Sequence, residues 1–84
     1  MRGYDVRTGR LRWTFHVVPR DQEDGRDTWE DEAWRYTGAG NVWALMSADD
    51  DLGYVYLPLT SATNDMYGGH RKGHNLFSDC IVCI

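Results

Sequence analysis

Apolar and polar residues alternate along much of this chain with a period of two, which is the spacing of strands that turn one face to a core. The run LRWTFHVV sets Leu11, Trp13, Phe15 and Val17 on one face, and Arg12, Thr14 and His16 on the other. Ahead of it, GYDV is short and strand-like, and Thr8-Gly9 supplies a turn, so the pattern predicts a half-buried hairpin. Glycine at the second turn position suits a backbone that needs positive φ. Pro19 ends the second strand. Farther on, NVWALMSA reads as a strand, DDDLG as a turn and YVYLPL as the antiparallel partner, and LFSDCIVCI reads as a fifth strand.

Two long segments separate these runs. Residues 20–40 form an acidic excursion dotted with aromatic residues, with a short helix expected over Thr28 to Tyr36, capped by Thr28 and carrying Asp31 at its third helical position. TSATNDMYGGHRKGHN is a second polar loop. Five strands and no long helix place the chain in the all-β class. Five strands with long loops and two open edges make a poor independent sheet, although a small free-standing β-domain has the same count. A radial array of four-stranded blades accounts for the pattern better. The expected division is then the last two strands of one blade in 1–18, an excursion in 19–40, and the first three strands of the next blade in 41–84.

Charge and composition narrow the function. Eighty-four residues make at most one small domain. Net charge is −4, and seven of the thirteen acidic residues lie between Asp21 and Glu32 while the basic ones are scattered, which argues against a nucleic-acid partner. Four Trp and five Tyr are many for this length. Such residues form cores, and they also wall cofactor and sugar sites. Cys80 and Cys83 form a lone C-x-x-C; a zinc site needs two more ligands, and strand alternation puts the two on opposite faces. The three aspartates of DDDLG lack the alternating ligands and closing Glu of a calcium loop, and His70 and His74 lack a third ligand. No apolar run approaches the length that spans a bilayer, and the N-terminus shows no signal-peptide pattern.

The hairpin also carries a resemblance. YDVRTGRLRW resembles the tryptophan-docking repeat of quinoprotein propellers, in which a small residue, an Asp, Thr-Gly and a Trp four residues past the Gly recur from blade to blade. Asp5, Thr8, Gly9 and Trp13 occupy the matching positions, and Gly3 stands where Ala is commoner. That repeat alone also fits a non-catalytic scaffold propeller. The whole chain, from RGYDVRTGRLRWTFHVVPR to the closing IVCI, is similar to a continuous stretch of the pyrroloquinoline quinone (PQQ)-dependent glucose dehydrogenase group.

This resemblance implies a fragment of an eight-bladed β-propeller from a periplasmic or membrane-associated enzyme. Such an enzyme oxidises an aldose or alcohol, uses PQQ with Ca²⁺ or Mg²⁺, and passes electrons to a quinone or cytochrome. Trp43 in NVWALMS matches the tryptophan on which the quinone lies, and Thr63 in SATND matches a residue near the divalent ion. A threonine hydroxyl is a weak ligand that needs stronger company. YGGHRKGHN matches a loop beside the active-site funnel, with His74 where the group commonly has Asp. Trp29, Trp34 and Tyr36 either shape the substrate entrance or anchor the excursion. The catalytic aspartate and the acidic metal ligands of the group match no residue of this chain, which implies that the segment alone is inactive.

Overall fold

Asp5 shapes the first turn. In the computed structural model, which describes residues 1–84, strands β1 (Arg2–Tyr4) and β2 (Leu11–Thr14) pair antiparallel, with Gly3 opposite Trp13. Between them, Asp5 Oδ1 accepts hydrogen bonds from the Arg7 amide at 3.0 Å, the Thr8 amide at 2.8 Å and the Thr8 hydroxyl at 2.9 Å. Side-chain bonding of this kind is why Asp opens turns. Gly9 ends the turn at φ 70° and donates its amide to Asp5 O at 2.8 Å. The Trp13 indole lies across Gly3, where a Cβ would come within 2.2 Å of the ring, so the smallest residue is what admits it.

The inward face expected of LRWTFHVV is only partly realised. The strand ends at Thr14, with one more pair of hydrogen bonds between Phe15 and Met1, and Leu11 and Trp13 remain 53% and 42% exposed. The single partner strand covers an edge of β2 and not a face. Burial begins farther on, at Phe15 and Val17.

The second sheet has the order β3 (Ser47–Asp49), β4 (Tyr54–Pro58), β5 (Ile81–Cys83), antiparallel throughout. Its first turn repeats the device of Asp5. Asp49 Oδ1 accepts the Leu52 amide at 2.9 Å, and Gly53, at φ 71°, donates to Asp49 O at 2.8 Å. The expected strand over NVWALMSA is interrupted. Val42 bridges Leu59, and Ser47 pairs with Tyr56. The chain therefore takes five steps from 42 to 47 against three from 59 to 56, and the two extra residues push the segment 43–46 outward as a bulge. Val18, Pro19 and the excursion follow a separate course.

Two small clusters hold the molecule together. Val17, Leu57 and Leu59 are buried with Phe15, Val42, Phe77, Cys80, Val82 and Ile84 against them, which joins the continuation of the first hairpin to the second sheet. Phe15 and Phe77 meet edge to face at 5.1 Å. Trp29, Ala33 and Ala62 form the other cluster, with Val18 and Trp34 beside them. Only eight of 84 residues are buried, in a body of 42 × 25 × 18 Å. Much of each sheet is left uncovered, as expected of blade pieces that rest on neighbours.

The helix expected over Thr28 to Tyr36 does not form. Two short 3-10 segments, Arg26–Thr28 and Glu30–Arg35, take its place, and Asp31 and Glu32 stand at φ 54° within the second. Thr28 caps no helix: its hydroxyl donates to Gly25 O at 2.6 Å and accepts the Leu76 amide at 2.8 Å. Thr28 O accepts the Asn75 amide at 2.9 Å, and Glu30 N–H reaches Lys72 O at 3.0 Å. The excursion is thus tied to the distant segment 72–76 as well as to itself. Gly73, at φ 93°, allows the approach, because a Cβ there would meet Thr28 O at 2.2 Å.

The fifth strand is shorter than LFSDCIVCI. Asn75, Phe77 and Asp79 have φ of 47°, 72° and 51°, outside the β region, so pairing is limited to Ile81–Cys83. Cys80 lies against the Val17 cluster and Cys83 is exposed, on opposite faces, both as free thiols.

Candidate functional site

An open concavity of about 390 Å³ is lined by Ala39, Asn41, Trp43, Thr60, Thr63 and Asp65. The bulge and the end of β4 build it. Residues 38–42 run beside 59–63, with Val42 bridging Leu59, Thr60 N–H donating to Asn41 O at 2.9 Å and Thr63 N–H donating to Gly38 O at 3.0 Å. The Thr60 hydroxyl grips Asn41, donating toward its backbone oxygen at 3.1 Å and its side-chain oxygen at 3.2 Å. Trp43 follows directly, where the chain leaves the ladder. Its indole is 85% exposed, an unusual state for so large an apolar surface.

Trp43 and Thr63, the two residues that the sequence singled out for cofactor contact, therefore line one concavity. Thr63 is tightly engaged. Its hydroxyl accepts the Gly38 amide at 3.1 Å and donates to Gly38 O at 3.2 Å. With the proton directed to Gly38, the spare capacity of Oγ1 is a lone pair. Asn41, Thr60 and Asp65 were not found by sequence reasoning; their signal is the pairing of 38–42 with 59–63, which no local pattern announces.

Asp65 is the one carboxylate lining this concavity, and no three His, Cys, Asp or Glu side chains anywhere converge as metal ligands. A hard cation takes six to eight oxygens, so the concavity offers Thr63 and its neighbours as at most part of a shell. His70 and His74 do not come together at a metal-ligand cluster; His70 Nε2 instead lies 3.1 Å from Thr63 O.

The excursion aromatics differ in role. Trp29 is 2% exposed and anchors the second cluster. Trp34 has the guanidinium groups of Arg26 and Arg35 over its ring, at 5.7 and 4.8 Å from the ring centre. Tyr36 is exposed and donates its hydroxyl to His70 O at 2.6 Å.

Three groups outside this concavity are shifted by their surroundings. The Thr8 amide, the Thr8 hydroxyl and the Arg7 amide hold the Asp5 carboxyl below the usual carboxylate range. The Arg20 amide and then His16, whose Nδ1 is 2.7 Å from Glu23 Oε1, do the same for Glu23. Burial and then the neighbouring Asp79 push the Cys80 thiol up.

Two antiparallel sheets with uncovered faces and a repeated Asp-to-Gly turn, beside a concavity lined in part by Trp43, define a β-propeller blade segment. The chain belongs to the PQQ family of glucose, ethanol and alcohol dehydrogenases, whose β-propeller domain model matches residues 1–84. It is 38% identical over 71 residues to the quinate/shikimate dehydrogenase (quinone) of Acinetobacter baylyi, covering 84% of this chain and 8% of that protein. It is 37% identical over 71 residues to the quinoprotein glucose dehydrogenase of Escherichia coli, again over 84% of this chain and 8% of the relative. The quinohemoprotein alcohol dehydrogenase ADH IIB of Pseudomonas putida is 30% identical over 93 residues, 96% of this chain and 14% of that protein. The chain thus spans 8 to 14% of the length of these relatives. No solved structure matches it.

Proposed function

We propose that this chain is part of a PQQ-dependent dehydrogenase that oxidises an aldose, glucose-like in type, or an alcohol, and that its contribution is one wall and the floor of the cofactor site. The single observation that carries this reading is the concavity that brings the exposed Trp43 indole together with Thr63. A planar tricyclic quinone is well held by a broad π face. The Asn41–Thr60 grip fixes the point where Trp43 leaves the ladder, so the indole is placed by backbone and not by its own contacts. Thr63 presents oxygen lone pairs, which suit Ca²⁺ or Mg²⁺ as a weak ligand beside stronger ones from outside this chain.

When bound, PQQ supplies the acceptor for the two electrons and hydrogen of the substrate alcohol carbon. Asp65 is the one carboxylate at the concavity, and the resemblance matches no residue here to the catalytic aspartate, so the general base would come from outside this chain. Residues 1–18 would close one blade, 19–40 cross the cofactor face and 41–84 open the next, with the other blades as packing partners of Trp13 through the Asp5, Thr8 and Gly9 turn. A quinone or cytochrome would take the electrons on the periplasmic side of the membrane. A scaffold propeller accounts for the hairpin equally well and would bury Trp43 between blades; the meeting of Trp43 with Thr63 at one concavity favours the cofactor reading.

The test is dye reduction by the full-length protein that carries this segment, supplied with PQQ and Ca²⁺ and offered glucose, other aldoses and simple alcohols. Turnover that needs both PQQ and a hydroxylated substrate is expected; no turnover and no PQQ binding would overturn the proposal. The 84-residue chain alone, treated the same way, should reduce no dye.

A further inference from the structure

We infer that His70 is a positioning residue for the cofactor site, acting on Thr63 through a closed ring of hydrogen bonds between the two long loops. The inference rests on the proposed function and deepens it. The ring begins at Tyr36, whose hydroxyl donates to His70 O at 2.6 Å. His70 Nε2 then lies 3.1 Å from Thr63 O. A carbonyl oxygen only accepts, so Nε2 carries the hydrogen. Thr63 in turn makes three bonds to Gly38: N–H to O at 3.0 Å, Oγ1 to O at 3.2 Å, and Oγ1 from N–H at 3.1 Å. Gly38 is two residues from Tyr36, which closes the ring.

Every donor of Thr63 is consumed inside this ring, and its carbonyl is held by His70. The residue enters the concavity with its backbone fixed from both sides and its hydroxyl proton turned away to Gly38. What it shows a ligand is therefore oxygen lone pairs at a defined place. Tyr36 and Tyr67 flank the imidazole, with ring centres at 6.4 and 6.3 Å, and limit its swing. Nothing else donates to Thr63 O, so loss of the imidazole donor frees that side of Thr63.

The experiment uses the full-length dehydrogenase that carries this segment, prepared without cofactor. PQQ is titrated calorimetrically, in the presence of Ca²⁺, into wild type, His70→Phe, His70→Gln and Tyr36→Phe. Phenylalanine keeps a ring between the tyrosines and removes the donor, while glutamine keeps an N–H donor. Losing one such hydrogen bond should weaken PQQ binding about fivefold to tenfold in His70→Phe, with His70→Gln within about twofold of wild type. Tyr36→Phe, which keeps the ring and removes only the hydroxyl that bonds His70 O, should fall between them, and it carries the test if His70→Phe does not fold. Wild-type affinity in His70→Phe, or in Tyr36→Phe where it stands in, overturns the inference while leaving the function intact. Equal losses in His70→Gln and His70→Phe overturn it as well, because the donor would then not matter. Absence of PQQ binding in wild type overturns the functional proposal itself, and the inference with it.

Discussion

Two tryptophans 14 positions apart should fail in opposite ways when cut back to alanine. Trp43 is 85% exposed and Trp29 is 2% exposed. A tryptophan presents roughly 250 Å², so Trp43 has about 40 Å² covered by its own chain. At about 25 cal/mol per Å² that is about 1 kcal/mol of stability. Trp29→Ala, which empties the space against Ala33 and Ala62, should cost about 3 to 5 kcal/mol. For cofactor binding the order reverses. A quinone lying on one indole face would cover roughly 100 Å² of Trp43, or about 2.5 kcal/mol, so Trp43→Ala should weaken PQQ binding by roughly 70-fold. Urea denaturation of the cofactor-free full-length protein measures the first quantity, and calorimetric titration with PQQ the second. Wild-type PQQ affinity in Trp43→Ala would refute the reasoning, as would a stability loss in that variant as large as in Trp29→Ala.

Acid and thiol chemistry give two further checks. The Asp5 and Glu23 carboxyls are held below the usual range by hydrogen bonds, so their stabilisation is fully present above the unfolded value, near about 4, and is lost as pH falls through the folded one. Melting temperature should therefore hold between about pH 7 and 5 as far as these groups are concerned and decline below about 4, more shallowly in Glu23→Gln; an unchanged slope in that variant would contradict the assignment. Iodoacetamide at about pH 8 should label Cys83 well before Cys80, since Cys83 is exposed while burial and Asp79 push the Cys80 thiol up. Peptide mass spectrometry reads the two rates, and equal rates would contradict the placement of Cys80 against the core.

What the sequence revealed follows the range of the interactions involved. The Asp5 turn, the positive φ of Gly9 and the opposite faces of Cys80 and Cys83 depend on residues within a few positions, and alternation or turn chemistry exposes them. The second Asp-to-Gly turn, Asp49 to Gly53, was readable as a turn, and its likeness to the first rests on the Asp and Gly at the ends of DVRTG and DDDLG, which make the same hydrogen bonds around different middle residues. Thr28 has the chemistry of a cap and loses that role to Leu76, 48 positions away. The apolar run VWALM looks the same whether it stays in the ladder or leaves it, so the bulge was hidden. Trp43 and Thr63 were reached by resemblance; that they share a concavity is a fact of pairing between 38–42 and 59–63.

The bulge has a consequence for how this segment can change. Side chains on a strand swap faces with every residue, so an insertion of one would exchange Ala48 with its polar neighbours, Ser47 and Asp49, between the two faces of the sheet. An insertion of two restores the phase: Val42 opposes Leu59 before the bulge and Ala48 opposes Val55 after it, on the same side of the sheet. The lobe that carries Trp43, Leu45 and Met46 is thus a reading frame of its own, with a period of two. Changes of length in even steps can reshape the Trp43 side of the concavity while the sheet beneath keeps its register, and odd steps cannot.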